Sequence, residues 1–337
     1  MAVTVLAVET SCDETAAAIV RGNDIIASLV ATQEVHSLWG GVVPELASRL
    51  HQRTLTSLAH EAVKRAGIAL DDLDAVASTV GPGLIGALLV GASYGKGLAA
   101  GLGKPFIGVN HLEGHLWSAS VGADQLPLPA LVLLVSGGHT ELIRIDDFGR
   151  YALLGATLDD AAGEAFDKVG GLLGIPYPAG AALSKLASEG DDRRFKFAVA
   201  RTESPFDFSY SGLKSAALRQ VQKLEQDGEQ NWRADLAASF ERAVVRQLKQ
   251  RVMAALDAGT YASLTLGGGV AANGRLRREL QSIAGQRKIP LRIPPMEYCT
   301  DNAAMIAWVA ARRLDRDDID TLNRPADPNL ALVSDPA

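Results

Sequence analysis

Cysteine is scarce. Cys12 and Cys299 are the two thiols in 337 residues, and neither belongs to a C-x-x-C pair. No disulfide framework is implied, and a reducing cytoplasm fits. Excess positive charge is also missing: 33 Lys and Arg face 39 Asp and Glu, for a net charge of −6. The chain is therefore not a bulk polycation, and any nucleic acid must meet a local basic patch or a partner's surface. Long uninterrupted apolar runs are lacking. The longest, residues 84–102, is broken by Tyr94, Lys96 and five glycines, which predicts a buried helix rather than a membrane span. No basic and apolar leader opens the sequence. A strand pattern begins at residue 3, so no secretory signal is expected.

Two further absences concern catalysis. No glycine-rich loop here ends in Gly-Lys-Ser/Thr, so there is no Walker A loop. A zinc-protease helix needs glutamate directly after its first histidine. In His111-Leu112-Glu113-Gly114-His115 the glutamate stands two positions on, facing another side of the helix. That argues against proteolysis.

What the chain does contain is glycine and aliphatic sequence. Its 33 glycines and 47% hydrophobic content suit a well-packed α/β protein with tight turns. The length allows two domains or one bilobal enzyme. Residues 3–9, 16–20 and 25–31 read as strands, joined by the polar turn 10–15 and by Gly22-Asn23-Asp24. A long amphipathic helix follows from Pro44, with Gly67 as its stop. Strand 74–79, the Gly81-Pro82-Gly83 turn, helix 84–102 and strand 106–109 come next. They deliver the two histidines to a strand's C-terminal end, where α/β sheets usually bind ligands. Residues 130–135, 141–145 and 151–156 then repeat the opening order of strand, small polar turn, strand, turn, strand. This predicts two related lobes. Helices are expected at 160–173, 181–188, 209–224, 232–256, 275–283 and 300–314, with strands at 263–266 and 290–293. Residues 317–337 read as an irregular tail.

On a helix, His111 and His115 share one face, close enough to share a metal ion. Asp301, in Cys299-Thr300-Asp301-Asn302, offers a third hard ligand. Two histidines and a carboxylate form a usual catalytic metal set with open positions. Ordinary core or surface histidines are the competing explanation. The turn at 9–14 offers hydroxyls and backbone N–H groups to a phosphate, or is a plain hairpin loop. Gly267-Gly268-Gly269 between a strand and a helix is a phosphate- or nucleotide-binding layout, because glycine lets the backbone approach a ligand closely. These stretches and Ser136-Gly137-Gly138-His139 are expected to converge on one cleft with the histidine pair. Arg193, Arg194, Lys196 and Arg201, interleaved with Phe195 and Phe197, would line a nucleic-acid groove or form a solvated charged strand.

In combination and in order, the motifs resemble one family. They are Glu9-Thr10-Ser11-Cys12-Asp13-Glu14-Thr15, Gly40-Gly41-Val42-Val43-Pro44-Glu45, Gly81-Pro82-Gly83-Leu84, His111-Leu112-Glu113-Gly114-His115, Leu134-Val135-Ser136-Gly137-Gly138-His139-Thr140, Gly163-Glu164-Ala165-Phe166-Asp167-Lys168, Phe208-Ser209-Tyr210-Ser211-Gly212-Leu213-Lys214, Gly267-Gly268-Gly269-Val270-Ala271-Ala272-Asn273 and Cys299-Thr300-Asp301-Asn302. Over about the first 310 residues the chain is similar to the TsaD family of bacterial tRNA threonylcarbamoyladenosine transferases, once described as glycoproteases.

The resemblance implies an α/β, actin-like and sugar-kinase-like (ASKHA) fold, with two RNase H-like lobes and a central cleft. Lobe I would span 1–128, with a helix at about 302–316 packing back on it, and lobe II 129–301. The implied reaction moves a threonylcarbamoyl group from threonylcarbamoyl-adenylate to the N6 amine of the adenosine next to the anticodon in tRNAs reading ANN codons, releasing AMP. By the same resemblance, His111, His115 and Asp301 hold one divalent or trivalent metal ion per subunit, iron or alternatively zinc. Leu134, Val135, Ser136, Gly137 and Gly138 supply backbone donors to the substrate. Asp167, Gly180 and Asn273 hold the nucleoside, and Gly267, Gly268 and Gly269 give the nucleotide loop its clearance. Glu9 takes a catalytic or water-ordering role. Implied partners are tRNA, a TsaB-like paralogue forming a heterodimer and a TsaE-like P-loop ATPase, in the cytoplasm and without a membrane. One departure stands out: the family turn reads Tyr-Pro-Gly-Gly, whereas Ala179 occupies its third position here. Alanine tolerates a positive φ poorly. An actin-like metabolite phosphotransferase, a metalloprotease and a nucleotide-gated scaffold are the competing functional readings.

Overall fold

Continuous aliphatic sequence forms strands that are covered on both faces. In the computed structural model, which describes residues 2–123 and 125–332, β1 (Thr4–Glu9) is buried at every position. It pairs antiparallel with β2 (Glu14–Arg21), which pairs antiparallel with β3 (Asp24–Thr32). Helix α1 (Pro44–Ala66) starts on proline, whose missing N–H costs nothing in a first turn. Next come β4 (Ala75–Gly81), α2 (Ile85–Leu102), β5 (Phe106–Asn110) and the short α3 (His111–Trp117). β4 and β5 run parallel to β1, giving the sheet order β3-β2-β1-β4-β5. The register sets Val8 beside Ser78 and Thr79 beside Val109, so the C-terminal ends of the three parallel strands share one edge.

The second unit, Leu126–Cys299, opens with β6 (Ala130–Val135), β7 (Thr140–Asp147) and β8 (Arg150–Ala156). Helices α4 (Ala162–Leu172), α5 (Gly180–Ala187), α6 (Ser211–Gln226) and α7 (Arg233–Ala258) precede β9 (Ser263–Gly267), α8 (Gly274–Arg287) and β10 (Leu291–Arg292). Its sheet order is β10-β9-β6-β7-β8, with the same parallel and antiparallel pairings as the first sheet. The repeated strand pattern of the sequence is thus a repeated topology, a two-lobe α/β fold. Leu131, Leu133 and Val135 of β6 belong to a core that includes Phe166 of α4 and Phe240 of α7. These two rings meet edge to face with centroids 5.5 Å apart.

The first unit comprises Met1–Gln125 and Thr300–Ala337. Its closing helix, α9 (Ala303–Leu314), is buried from Ala303 to Ala311 and packs on β1, β2 and β5. Burial of Met305, Ile306 and Val309 contributes about 2 kcal/mol each. Trp308 stacks on Trp117 of α3 at 5.5 Å. Among the described residues one helix, α2, is long and apolar enough to cross a membrane. Its Ala87, Leu88, Gly91, Ala92, Gly95 and Ala99 are buried, and it packs on β4 and α1.

Two stretches bear on the sequence expectation, residues 191–201 and the tail expected at 317–337, of which 333–337 lie outside the described residues. Residues 191–201 form no strand. Phe195 and Phe197 pack against the second unit's core, and Arg194 is ion-paired to Asp235 at 2.8 Å and to Glu229 at 2.5 Å. Arg194, Phe195 and Phe197 are thus engaged within the second unit, whereas the Arg193 side chain is exposed. Residues 317–332 carry no helix or strand, yet they are tied to the first sheet. Asp320 N donates to Phe106 O at 3.0 Å, and Asp327 N to Val80 O at 2.8 Å.

Candidate metal centre and glycine-rich loops

Asn110 ends β5 and caps α3, its Oδ1 accepting from Leu112 N at 2.8 Å and Glu113 N at 3.4 Å. A capped start fixes the helical phase of the next residues. One turn apart, His111 and His115 place their rings 4.7 Å from each other, nearly perpendicular. Asn302 caps α9 in the same way, accepting from Met305 N at 3.0 Å, which sets Asp301 just outside the helix. His115 Nε2 lies 3.0 Å from Asp301 Oδ1, and His111 Nε2 lies 3.5 Å from it. The three ligand atoms fall within 4.8 Å of one another. All three residues belong to the first unit.

The donor set suits a metal ion: two imidazole nitrogens and a carboxylate oxygen aimed at one point. Burial opposes charge on His111, but Asp301 and Glu9 outweigh it and hold the ring well above its usual pKa. Asp301 is held well below the usual carboxylate range, burial being overcome by His111 and His115. The first shift expresses the negative charge of Asp301 and Glu9 beside the ring, and the second the two imidazoles beside the carboxylate. Close by, Glu14 is pushed up to about 10 by burial and by Asp301 and Asp13. Burial, with Asp13 and Asp301, pushes the Cys12 thiol up, which disfavours a thiolate nucleophile. Glu113 is not among the three convergent residues.

In the second unit, β6 and β9 run parallel, with Leu134 beside Gly267, so both of their glycine turns leave from one edge. Ser136 closes its turn by donating from N to His139 O at 2.8 Å, while its Oγ accepts from His139 N at 3.1 Å. A Cβ on Gly137 or Gly138 would meet nothing within 4 Å. Gly268 has φ of 84°, and a Cβ there would press into the carbonyl of Val135. Only glycine serves at that position. Asn273 is engaged on both sides of its amide. Oδ1 caps α8 at Leu276 N (2.8 Å), and Nδ2 donates to Ser184 Oγ (2.9 Å) and Glu241 Oε1 (2.7 Å). Asp167 Oδ1 accepts from Ala179 N at 2.8 Å and so holds the turn into Gly180. Ala179 has φ of −90°, an ordinary right-handed conformation, so alanine is unstrained in this turn.

Sequence reasoning had not singled out Thr79, Ser184 or Glu241, which touch Glu9 and Asn273. Only strand register and helix packing bring them there. The local hint at Thr79 was a polar residue within the buried strand β4.

The profile of one family matches residues 24–308, that of TsaD, tRNA N6-adenosine threonylcarbamoyltransferase. The chain belongs to the TsaD family. A tRNA N6-adenosine threonylcarbamoyltransferase of Moorella thermoacetica is 50% identical over 331 residues, 97% of each chain. Its counterpart from Gloeobacter violaceus is 48% identical, covering 98% of this chain and 96% of that one. This TsaD-family chain also resembles solved structures in fold. T. kodakarensis HypF matches 94% of it with a TM-score of 0.64 at 13% identity, over 48% of HypF. Component A of the Acidaminococcus fermentans (R)-2-hydroxyglutaryl-CoA dehydratase matches 93% of it, and 99% of that chain, with a TM-score of 0.55 at 16% identity. The actin-like fold expected from the motifs agrees with these neighbours. Membership makes the chain a transferase enzyme, and the protease and phosphotransferase readings gain nothing from these comparisons.

Proposed function

We propose that this enzyme transfers the threonylcarbamoyl group of threonylcarbamoyl-adenylate to N6 of the adenosine next to the anticodon in tRNAs reading ANN codons. The amine nitrogen bonds to the carbamoyl carbonyl carbon, the bond from that carbon to the phosphate oxygen breaks, AMP leaves, and the amine loses a proton. The observation that carries this reading is the His111, His115 and Asp301 triad, within 4.8 Å, in a TsaD-family chain.

His111, His115 and Asp301 would hold one metal ion per subunit, iron by resemblance or zinc. When bound, such an ion supplies a Lewis acid and a template for oxygen atoms of the donor. The chain's own residues do the rest by positioning, which removes much of the entropic barrier to acyl transfer. Leu134 and Val135 end β6 and Ser136 closes the turn, so that the backbone N–H groups of Gly137 and Gly138 would meet the donor's anionic oxygens. Gly267, Gly268 and Gly269 would let the nucleotide approach the backbone. Asp167 and Asn273 would shape the nucleoside end by fixing the Gly180 turn and the start of α8. The tRNA would be presented with help from a TsaB-like paralogue and a TsaE-like P-loop ATPase, in the cytoplasm.

The test is a reaction of the full chain with those partners, threonylcarbamoyl-adenylate and unmodified tRNA, read by nucleoside mass spectrometry. Threonylcarbamoyladenosine in the tRNA is the expected result. Phosphoryl transfer from ATP to a sugar or carboxylate, with no modified nucleoside, would replace this reading with a phosphotransferase.

A further inference from the structure

Glu9 is a fully buried carboxylate at the end of β1. Burying an isolated carboxylate costs several kcal/mol, so each oxygen must find donors. Oε1 accepts from the backbone N–H of Ser11, and Oε2 accepts from the hydroxyl of Thr79. The third neighbour is His111, whose Nδ1 lies 3.1 Å from Oε2. Nδ1 also lies 3.1 Å from Ser11 Oγ. The opposite ring nitrogen, Nε2, faces Asp301. His115 has no comparable support: its Nδ1 is buried with no hydrogen-bond partner among the described residues.

An ionised carboxylate only accepts hydrogen bonds, so the Nδ1 facing it must carry the ring proton. A neutral ring then has its lone pair on Nε2, the nitrogen that faces Asp301. Full burial denies Glu9 contact with a substrate. We propose that Glu9 is a positioning residue, which fixes the tautomer and orientation of His111 so that Nε2 is the metal-binding nitrogen. This inference rests on the metal reading of the triad. It assigns Glu9 a role through His111 in place of direct catalysis or water ordering. Carboxylate partners of metal-bound histidines commonly act this way.

The test substitution is Glu9→Gln, nearly identical in shape. One end of the amide must accept from the fixed N–H of Ser11, so the NH2 end faces His111. It then donates to Nδ1 and moves the ring proton to Nε2, which blocks metal binding there. Zinc affinity of the purified full-length chain, measured by competition with a chromogenic chelator, should fall about 10- to 100-fold. Circular dichroism of the metal-free protein should match wild type. Ser11→Ala keeps the carboxylate and should change affinity by less than about threefold, because the charged partner dominates. Folded Glu9→Gln protein that binds zinc as tightly as wild type would overturn the inference. A second readout does not depend on that variant folding: nitrogen-15 NMR of the histidine rings in zinc-loaded wild type. It should show His111 protonated at Nδ1 and bound through Nε2, and the reverse arrangement would overturn the proposal. Wild type that binds no zinc would remove the metal reading, and this inference with it. Loss confined to the inference would appear as equal zinc binding by wild type and Glu9→Gln.

Discussion

Gly81 and Asp327 are in backbone contact: a Cβ on Gly81 would run into the carbonyl oxygen of Asp327. Asp327 in turn donates its N–H to Val80 O at 2.8 Å. The end of β4 therefore seats residues 317–332 only while position 81 has no side chain. That segment reaches the start of α3, since Asn110, its N-cap, donates from Nδ2 to Leu330 O and Ala331 O at 3.2 Å each.

Gly81→Ala should release this segment. Its positive φ of 151° adds to the collision, and the neighbouring atom is backbone that cannot swing away. The expected cost is about 2–4 kcal/mol, with faster proteolysis between residues 317 and 332. Wild-type resistance in limited proteolysis would contradict this.

The two glycine turns of the second unit should respond differently. Gly268→Ala forces a side chain into the Val135 carbonyl at a φ of 84°, so thermal stability should drop by about 2 kcal/mol or more. Gly137→Ala enters open space, so stability should stay within about 0.5 kcal/mol. If the backbone at Gly137 approaches the donor, affinity for threonylcarbamoyl-adenylate should still weaken about tenfold. Thermal melts paired with donor titrations separate the outcomes, and unchanged donor binding by Gly137→Ala would remove that turn from the donor site.

Asp159 caps α6 from a distance, accepting from Tyr210 N at 2.7 Å and from Ser209 Oγ at 2.6 Å and Ser211 Oγ at 2.7 Å. Burial opposes its charge, but these hydrogen bonds prevail and lower its pKa below 3.8. A lowered carboxylate pKa contributes stability above the unfolded value, lost as pH falls through the folded one. Asp159→Ala should cost about 1 kcal/mol at pH 7 and progressively less below pH 4. A constant difference across that range in denaturant titrations would contradict this.

Glu141 has the opposite sign. It stands across from Leu134 in the sheet, and burial pushes its carboxyl from 4.5 to about 7. Its folded state is favoured below the unfolded value, and that advantage is lost as pH rises through about 7. Glu141→Gln should remove this slope, worth at most about 3 kcal/mol between pH 4 and pH 8. An unchanged pH profile of stability would show that Glu141 titrates normally.

Local signals carried much of the architecture. Val-rich runs at β1 and β6, proline at the start of α1 and the spacing of His111 and His115 are all determined within a few residues. Contacts set by register were not legible. Glu9 meets His111 only because β1, β4 and β5 lie parallel with their ends aligned. Arg194 is ion-paired to Asp235 and Glu229, more than thirty residues away, so this one cation of its run looked freer in sequence than it is. Ala179 looked like a strained replacement for glycine because sequence carries no φ. In the fold Asp167 holds the turn and φ is negative.

The most direct measurement is a single-turnover reaction of wild type and His111→Ala with threonylcarbamoyl-adenylate, unmodified tRNA and the partner proteins, with bound metal quantified in each enzyme. Modified adenosine and about one metal ion per chain in wild type, both lost in His111→Ala, is the predicted result. Equal product from a metal-free His111→Ala enzyme would contradict the account, because the triad would then play no part in the transfer.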